Sequence, residues 1–196
     1  MERVYPDTNV LFPMTLMDLL LSMAEDYHHD IVWSDFLLEE WERVIVSEKR
    51  RTPEEARAIS AAIRHAFPAG RVAAERYDPI LDMIPGPDDD DRVHAAAAIA
   101  GEATALLTEN IRHFDTEFMA ARGVTVERVE PYLLARLEAA PEAMVATIER
   151  ILALKRNPVW TLEDYLDRLR RAGATIFADR LAAGFNTPTN GPPTSN

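Results

Sequence analysis

The order of its segments constrains this chain most. Through about residue 130, short apolar runs of strand length alternate with longer runs of helical spacing. The strand candidates are ERVYP (2–6), DIVW (30–33), TALLT (104–108) and VTVERV (124–129). Between them, LMDLLLSMAED (16–26) reads as a helix by apolar density. Ser34 opens an amphipathic helix with Phe36, Leu37, Trp41, Val44 and Ile45 on its apolar side. Thr52-Pro53-Glu54-Glu55 opens another, with a hydroxyl cap, a proline at the first position and acids in the first turn. A further helix is predicted from about Asp91 to Gly101. The stretch 71–85 is ambiguous between a short helix and a short strand. Alternation of this kind predicts βαβ units, hence an α/β fold with a parallel sheet sandwiched by helices.

Beyond residue 130 the texture changes. Residues 131–155, 161–171 and 174–183 read as helices, the second opened by the capping-box-like TLED at Thr161. The tail, 186–196, is polar and proline-rich and has no reason to fold. The division expected is therefore 1–130, a helical extension 131–185, and a disordered tail. The apolar residues of EAMVATIERILAL could pack the extension onto the protein's own core or pair two copies as a homodimer, and the first is the preferred reading.

Open parallel sheets place their sites at the carboxyl ends of the strands. Asp7 falls just past the first strand, and Thr108 and Asn110 just past another. The chain has no cysteine, which excludes disulfides and thiolate zinc sites and is compatible with a reducing cytosol. The N-terminal apolar stretch is broken by Pro6, Asp7, Pro13 and Asp18, so no secretory signal is expected, and no apolar run is long enough to cross a membrane. A net charge of −12 excludes a general coat for nucleic acid or membrane. Phosphate could be met only by a local basic patch or by bound cations.

Each acid has an ordinary reading alone. Asp7 in PDTN fits a turn, and Glu40 beside Glu39 and Glu42 fits an exposed helix face. Asp88, Asp89, Asp90 and Asp91 fit a loop followed by a helix cap at Asp91, and His113 and Asp115 fit loop decoration. Together they say more. In a parallel sheet Asp7, Asp91 and the 108–115 loop face the same strand ends, and carboxylates converging there require a cation. Oxygen donors without cysteine suit Mg²⁺ or Mn²⁺, which serve phosphoryl-transfer chemistry.

In this combination the chain resembles the PIN-domain ribonucleases, and among them the VapC-type toxins. DTNVL is similar to the family's opening motif. WSDFLLEEW is similar to the second, in which a strand-end serine precedes a glutamate by six residues and so selects Glu40 over Glu39. DDDDRVHAAAAIA is similar to the third, with Ala95, Ala96 and Ala98 standing four, five and seven places after Asp91. TENIRHF is similar to the fourth, but His113 stands where the family often has an acid, with Asp115 two places on.

The resemblance covers roughly residues 1–130, and the later helices resemble an extension found on a subset of these toxins. It implies a PIN-like three-layer α/β/α sandwich with a central parallel sheet plus C-terminal helices. It implies a cytoplasmic, metal-dependent endoribonuclease toxin, with Asp7, Glu40 and Asp91 around Mg²⁺ or Mn²⁺; at the fourth position either Asp115 is the catalytic acid, or His113 holds a water or phosphate, or one of Asp88, Asp89 and Asp90 joins the three acids. RNA is the implied substrate, and the implied partner is a cognate antitoxin that blocks the site. Thr8, Asn9, Ser34, Thr108 and Asn110 would orient carboxylates and waters, with Asp90 and Asp88 in reserve for the third acid.

For phosphate contact, Arg92 and Arg112 flank the site, and Lys49, Arg50, Arg51, Arg64, His65 and Arg71 form a candidate patch. His94, three residues after Asp91, reads as a structural residue on a different side of the helix. Two rivals remain. One is a phosphatase with Asp7 as nucleophile, against which Asn9 stands where such enzymes carry an acid. The other is an acidic module that binds a cation or a basic partner without catalysis.

Overall fold

A computed structural model describes residues 1–185, so the predicted tail lies outside the described residues. Strand β1 (Arg3–Pro6) leads into helices α1 (Thr8–Leu11) and α2 (Met14–Glu25). Strands β2 (Asp30–Ile31) and β3 (Trp33–Ser34) precede α3 (Asp35–Ser47), α4 (Pro53–Ala66), β4 (Arg71–Val72) and α5 (Ala74–Tyr77). Then follow α6 (Asp89–Ala100), β5 (Ala105–Leu107), α7 (Thr116–Ala120) and β6 (Thr125–Glu127). Helices α8 (Val129–Ala139), α9 (Pro141–Leu154), α10 (Leu162–Arg171) and α11 (Thr175–Phe185) close the described chain.

The central sheet has four strands in the order β2-β1-β5-β6, and every pairing is parallel. Thus the α/β class and parallel sheet read from the sequence are the observed ones. The single strand expected over 30–33 divides in two. Val32 still bonds to Val4 across the sheet, but Trp33 and Ser34 turn away to pair with β4 as a separate two-stranded parallel ribbon. The ambiguous stretch supplies that partner at Arg71–Val72, then a short helix and a 3₁₀ segment at Asp78–Met83.

Successive strand residues point to opposite faces of a sheet. Tyr5 and Leu106 enter one core with α3 and α6, while Val4, Ala105 and Leu107 enter a second. That second core is closed by α2 and the C-terminal helices: Leu16, Leu19, Leu20 and Met23 meet Met144, Ile148, Ile151, Tyr165, Phe177 and Leu181. The apolar face of α9 is therefore buried within the chain. Each such fully buried side chain contributes roughly 1.5–3 kcal/mol.

Polar ties reinforce the docking. Asp26 accepts from Thr147 at 2.7 Å and from Arg150, and Lys155 pairs with Asp18 at 2.8 Å. The one helix expected over 131–155 is two. Ala140 breaks it with φ −147° and ψ 67°, because a residue preceding proline is excluded from the helical region and Pro141 starts a new helix cleanly. Among the described residues no helix is long and apolar enough to cross a membrane.

Candidate active site

Asp7 caps α1 by position but not by side chain: its carboxylate makes no hydrogen bond to the helix amides. Its amide continues the ladder to Leu107 at 2.8 Å, which fixes the backbone at the strand end. The carboxylate instead accepts from Thr108 Oγ1 at 2.7 Å and from Asn9 Nδ2. Asn9 also donates to Thr108 Oγ1 at 3.1 Å and accepts from the Glu109 amide at 3.0 Å. A strand-end acid freed from capping and held by two neighbours is built to point in one direction. Asp7 is 4% exposed, and burial of an unpaired carboxylate would be costly.

Glu40 reaches the same point from the middle of α3, while Glu39 is exposed. Thr8 Oγ1 donates to Glu40 Oε2. His94 from α6 completes the group: its Nε2 lies 2.8 Å from Glu40 Oε2 and 3.6 Å from Asp7 Oδ1. This corrects the placement of His94 on another side of the helix. Residues three apart are neighbours on a helix surface. At 1% exposed, His94 faces the carboxylates. Its other nitrogen, Nδ1, sits 3.1 Å from Tyr5 Oη, which is 3.0 Å from Ser34 Oγ. Ser34 also caps α3, accepting from the Leu37 amide at 3.1 Å. Sequence reasoning missed Tyr5, yet a signal existed: strand alternation puts residue 5 on the same face as Asp7.

With Nδ1 turned to Tyr5, the other imidazole nitrogen points between two carboxylate oxygens. A lone pair there is repelled, so a proton or a metal ion must lie on Nε2. Burial depresses the His94 pKa, but the Glu40 hydrogen bond and the charges of Asp7, Glu40 and Asp91 outweigh it and raise it overall. Burial raises the Glu40 carboxyl, but its bonds from His94 and Thr8 hold it below the usual range. One donor atom from each of Asp7, Glu40 and His94 lies within 4.8 Å of the others, so these residues could hold a metal ion. This donor set fits a divalent cation.

Asp91 lines the same open cleft, of about 450 Å³, with Asp7, Glu40, His94, Asn110, Phe12, Val44 and Glu48. Its Oδ2 lies 2.9 Å from His113 Nδ1, and burial raises its carboxyl above the usual range. The helix cap, however, is Asp88, which accepts from the amides of Asp90 and Asp91, so α6 begins two residues earlier than predicted. Asp89 is likewise no loop residue but belongs to that first turn, paired with Arg92 at 3.0 Å.

Several other expected residues are not brought to the cleft. Asp90 is exposed and lies 3.8 Å from Arg43. Asp115 is exposed and caps α7 through the Phe118 amide at 2.9 Å. Arg92 also donates to the Leu81 carbonyl at 2.8 Å, which draws it away from the cleft. Arg112 is exposed beside Asn110. In the candidate basic patch, Arg64 and Arg71 are both held by Asp35, at 3.2 and 2.6 Å, whereas Lys49, Arg50 and His65 remain exposed.

Comparison with known families agrees with this geometry. The PIN-domain model matches residues 3–112, and the model for the VapC50 C-terminal domain matches residues 131–183. No curated protein and no solved structure matches the chain. With more than half of its length matched and its strand-end acids gathered in one cleft, the chain belongs to the PIN-domain family, as a VapC-type nuclease toxin with a C-terminal extension.

Proposed function

We propose that this nuclease is a Mg²⁺- or Mn²⁺-dependent endoribonuclease that cleaves RNA phosphodiester bonds in the cytoplasm and is held inactive by a cognate antitoxin protein. The observation that carries the reading is the convergence of one donor atom each from Asp7, Glu40 and His94 to within 4.8 Å of one another at the strand ends. Asp7, Glu40 and Asp91 would hold the ion, joined by His94 Nε2. A divalent ion so held neutralises the attacked phosphate and lowers the pKa of a bound water.

The chain's own residues do the positioning. Asn9 and Thr108 fix the Asp7 carboxylate, and Thr8 fixes Glu40. Asn110 lines the same cleft. His113 holds one oxygen of Asp91, which leaves the other oxygen for the ion. An antitoxin would block the site by placing a basic side chain among these acids.

The phosphatase reading is weakened because Asn9 is committed to Asp7, leaving no acid two residues on. The non-catalytic module predicts metal or partner binding with no cleavage. Purified protein is expected to cut single-stranded RNA with Mg²⁺ or Mn²⁺ and to stop with chelator. Asp7→Asn and Asp91→Asn should each lose at least about 100-fold in rate, with Asp89→Asn near the parent. Absence of cutting with either ion, or cutting that persists in chelator, would sink the proposal.

A further inference from the structure

A ribonuclease of net charge −12 must still hold a polyanion. Residues 1–130 carry 13 Lys and Arg against 26 Asp and Glu, whereas residues 131–185 carry eight against seven. Before residue 130, Arg43, Arg64, Arg71 and Arg92 are paired with Asp90, Asp35, Asp35 and Asp89, while Lys49, Arg50 and Arg112 stay exposed. The extension adds two more exposed guanidinium groups, set close together. On α10, Arg170 is saturated by Glu163, Asp167 and Asp179 at 2.8–3.0 Å. Its neighbours Arg168 and Arg171 are exposed, and among the described residues neither has a carboxylate within the 4.0 Å of an ion pair.

These two lie three apart and so share a helix face. Arg168 rests on the Trp160 ring, 4.0 Å from its centroid, and Arg171 Nε donates to the Asp167 carbonyl at 3.2 Å. Stacking fixes a long side chain while leaving guanidinium N–H groups free for an acceptor. Together they line an open groove of about 190 Å³ with Pro13, Met14, Thr15 and Ala172. Pro13 directly follows Phe12, which lines the catalytic cleft. Only α1 and Phe12 separate Asp7 from this groove, on the order of 10 Å at helical rise.

We infer that Arg168 and Arg171 of the C-terminal extension grip backbone phosphates of the RNA strand, a few nucleotides from the bond cut at Asp7, Glu40 and Asp91. The inference rests on the ribonuclease reading above. Paired guanidinium groups match phosphate oxygens in charge and geometry. The partly exposed Phe12 side chain, which lines the cleft and precedes Pro13 of the groove, offers a stacking surface for a base. An acidic protein segment fits less well, because beyond the arginines it would run into Glu48, Glu40, Asp7 and Asp91. A nucleic acid places its scissile phosphate on a cation there.

The test uses the full chain and a labelled single-stranded RNA about 20 nucleotides long. In an Asp7→Asn background that cannot cut, the double variant Arg168→Ala/Arg171→Ala should bind about tenfold or more weakly at low salt. The slope of log affinity against log salt should shrink by about 1.4, the value for two phosphates on a single strand. In the catalytic background the double variant should raise KM on this RNA and leave kcat unchanged. An oligonucleotide too short to leave the cleft should be cut at the parent rate. Arg168→Lys should keep the salt slope, and Arg180→Ala on α11 should change nothing. An unchanged slope and KM in the double variant, with parent cleavage intact, overturns this inference and spares the ribonuclease reading. The same is true if the variant loses only its affinity for the antitoxin. A parent that neither binds nor cuts RNA overturns both.

Discussion

Asp88 accepts hydrogen bonds from the amides of Asp90 and Asp91 at 2.9 and 3.1 Å, so its carboxylate is committed to the start of α6. Asp91, three residues on, is committed to His113 and the cleft. Asp88→Ala should therefore cost about 1 kcal/mol, the usual value of a lost cap, and lower Tm by roughly 2–4 °C. Cleavage should stay within a few-fold of the parent, since the acids of the cleft are untouched. Thermal denaturation run beside the RNA assay checks this, and a loss of activity as deep as that of Asp91→Asn would show that the cap has a second role. The cleft acids were legible because motif spacing singled each of them out of a background of neighbouring acids. His94 and Tyr5 were not, because their role depends on which helix face meets which strand face. A one-residue-scale reading of "DRVH" treats three residues' separation as a turn to another side, whereas in the folded helix it is adjacency.

Helix α6 can bring Asp91 and His94 to the carboxylates only by lying close to the sheet. Ala95, Ala96, Ala97 and Ala98 are each no more than 3% exposed, so small side chains fill this stretch of the helix where it packs. The turn that follows is as tight: a Cβ on Gly101 would fall 2.5 Å from Val32 Cγ1 and 2.7 Å from Val72 Cγ2. Ala98→Leu should overpack this interface, cost about 1–3 kcal/mol and push the helix outward. The variant is expected to lose stability in denaturant and metal affinity together, because Asp91 and His94 ride on the same helix. Retained affinity at reduced stability would mean that the sheet, not the helix, yields. The alanine run made this element easy to find. The division of residues 30–34 was hidden, because Trp33 and Ser34 leave the main sheet only to meet Arg71–Val72, a two-residue strand with too little pattern to be read alone. Pro141 did carry the signal that splits α8 from α9, and apolar spacing across the break masked it.

At the scale of the whole molecule, the extension covers one face of the central sheet, and buried polar groups sit at that junction. His29, from the turn before β2, is fully buried, with Nε2 3.1 Å from the Leu20 carbonyl and Nδ1 2.8 Å from Tyr132 Oη of α8. Burial lowers its pKa from 6.5 to about 4, opposed in part by the Leu20 carbonyl. The folded protein thus keeps this imidazole neutral while the unfolded chain binds a proton below about pH 6.5. Where the unfolded state binds more protons, stability rises with pH. The contribution of His29 is therefore intact above about 6.5 and is lost as pH falls toward 4. A shift of this size corresponds to about 2 kcal/mol lost between pH 7 and pH 5. His29→Gln should be less stable at pH 7 yet show a flatter decline on acidification, measured by denaturant unfolding at both values. Hydrogen exchange in α8 should rise first in the parent at pH 5, because protonation strains the bond to Tyr132. Parallel pH profiles for parent and variant would show that the junction tolerates the charge, and the acid sensitivity would then have to come from the carboxylates instead.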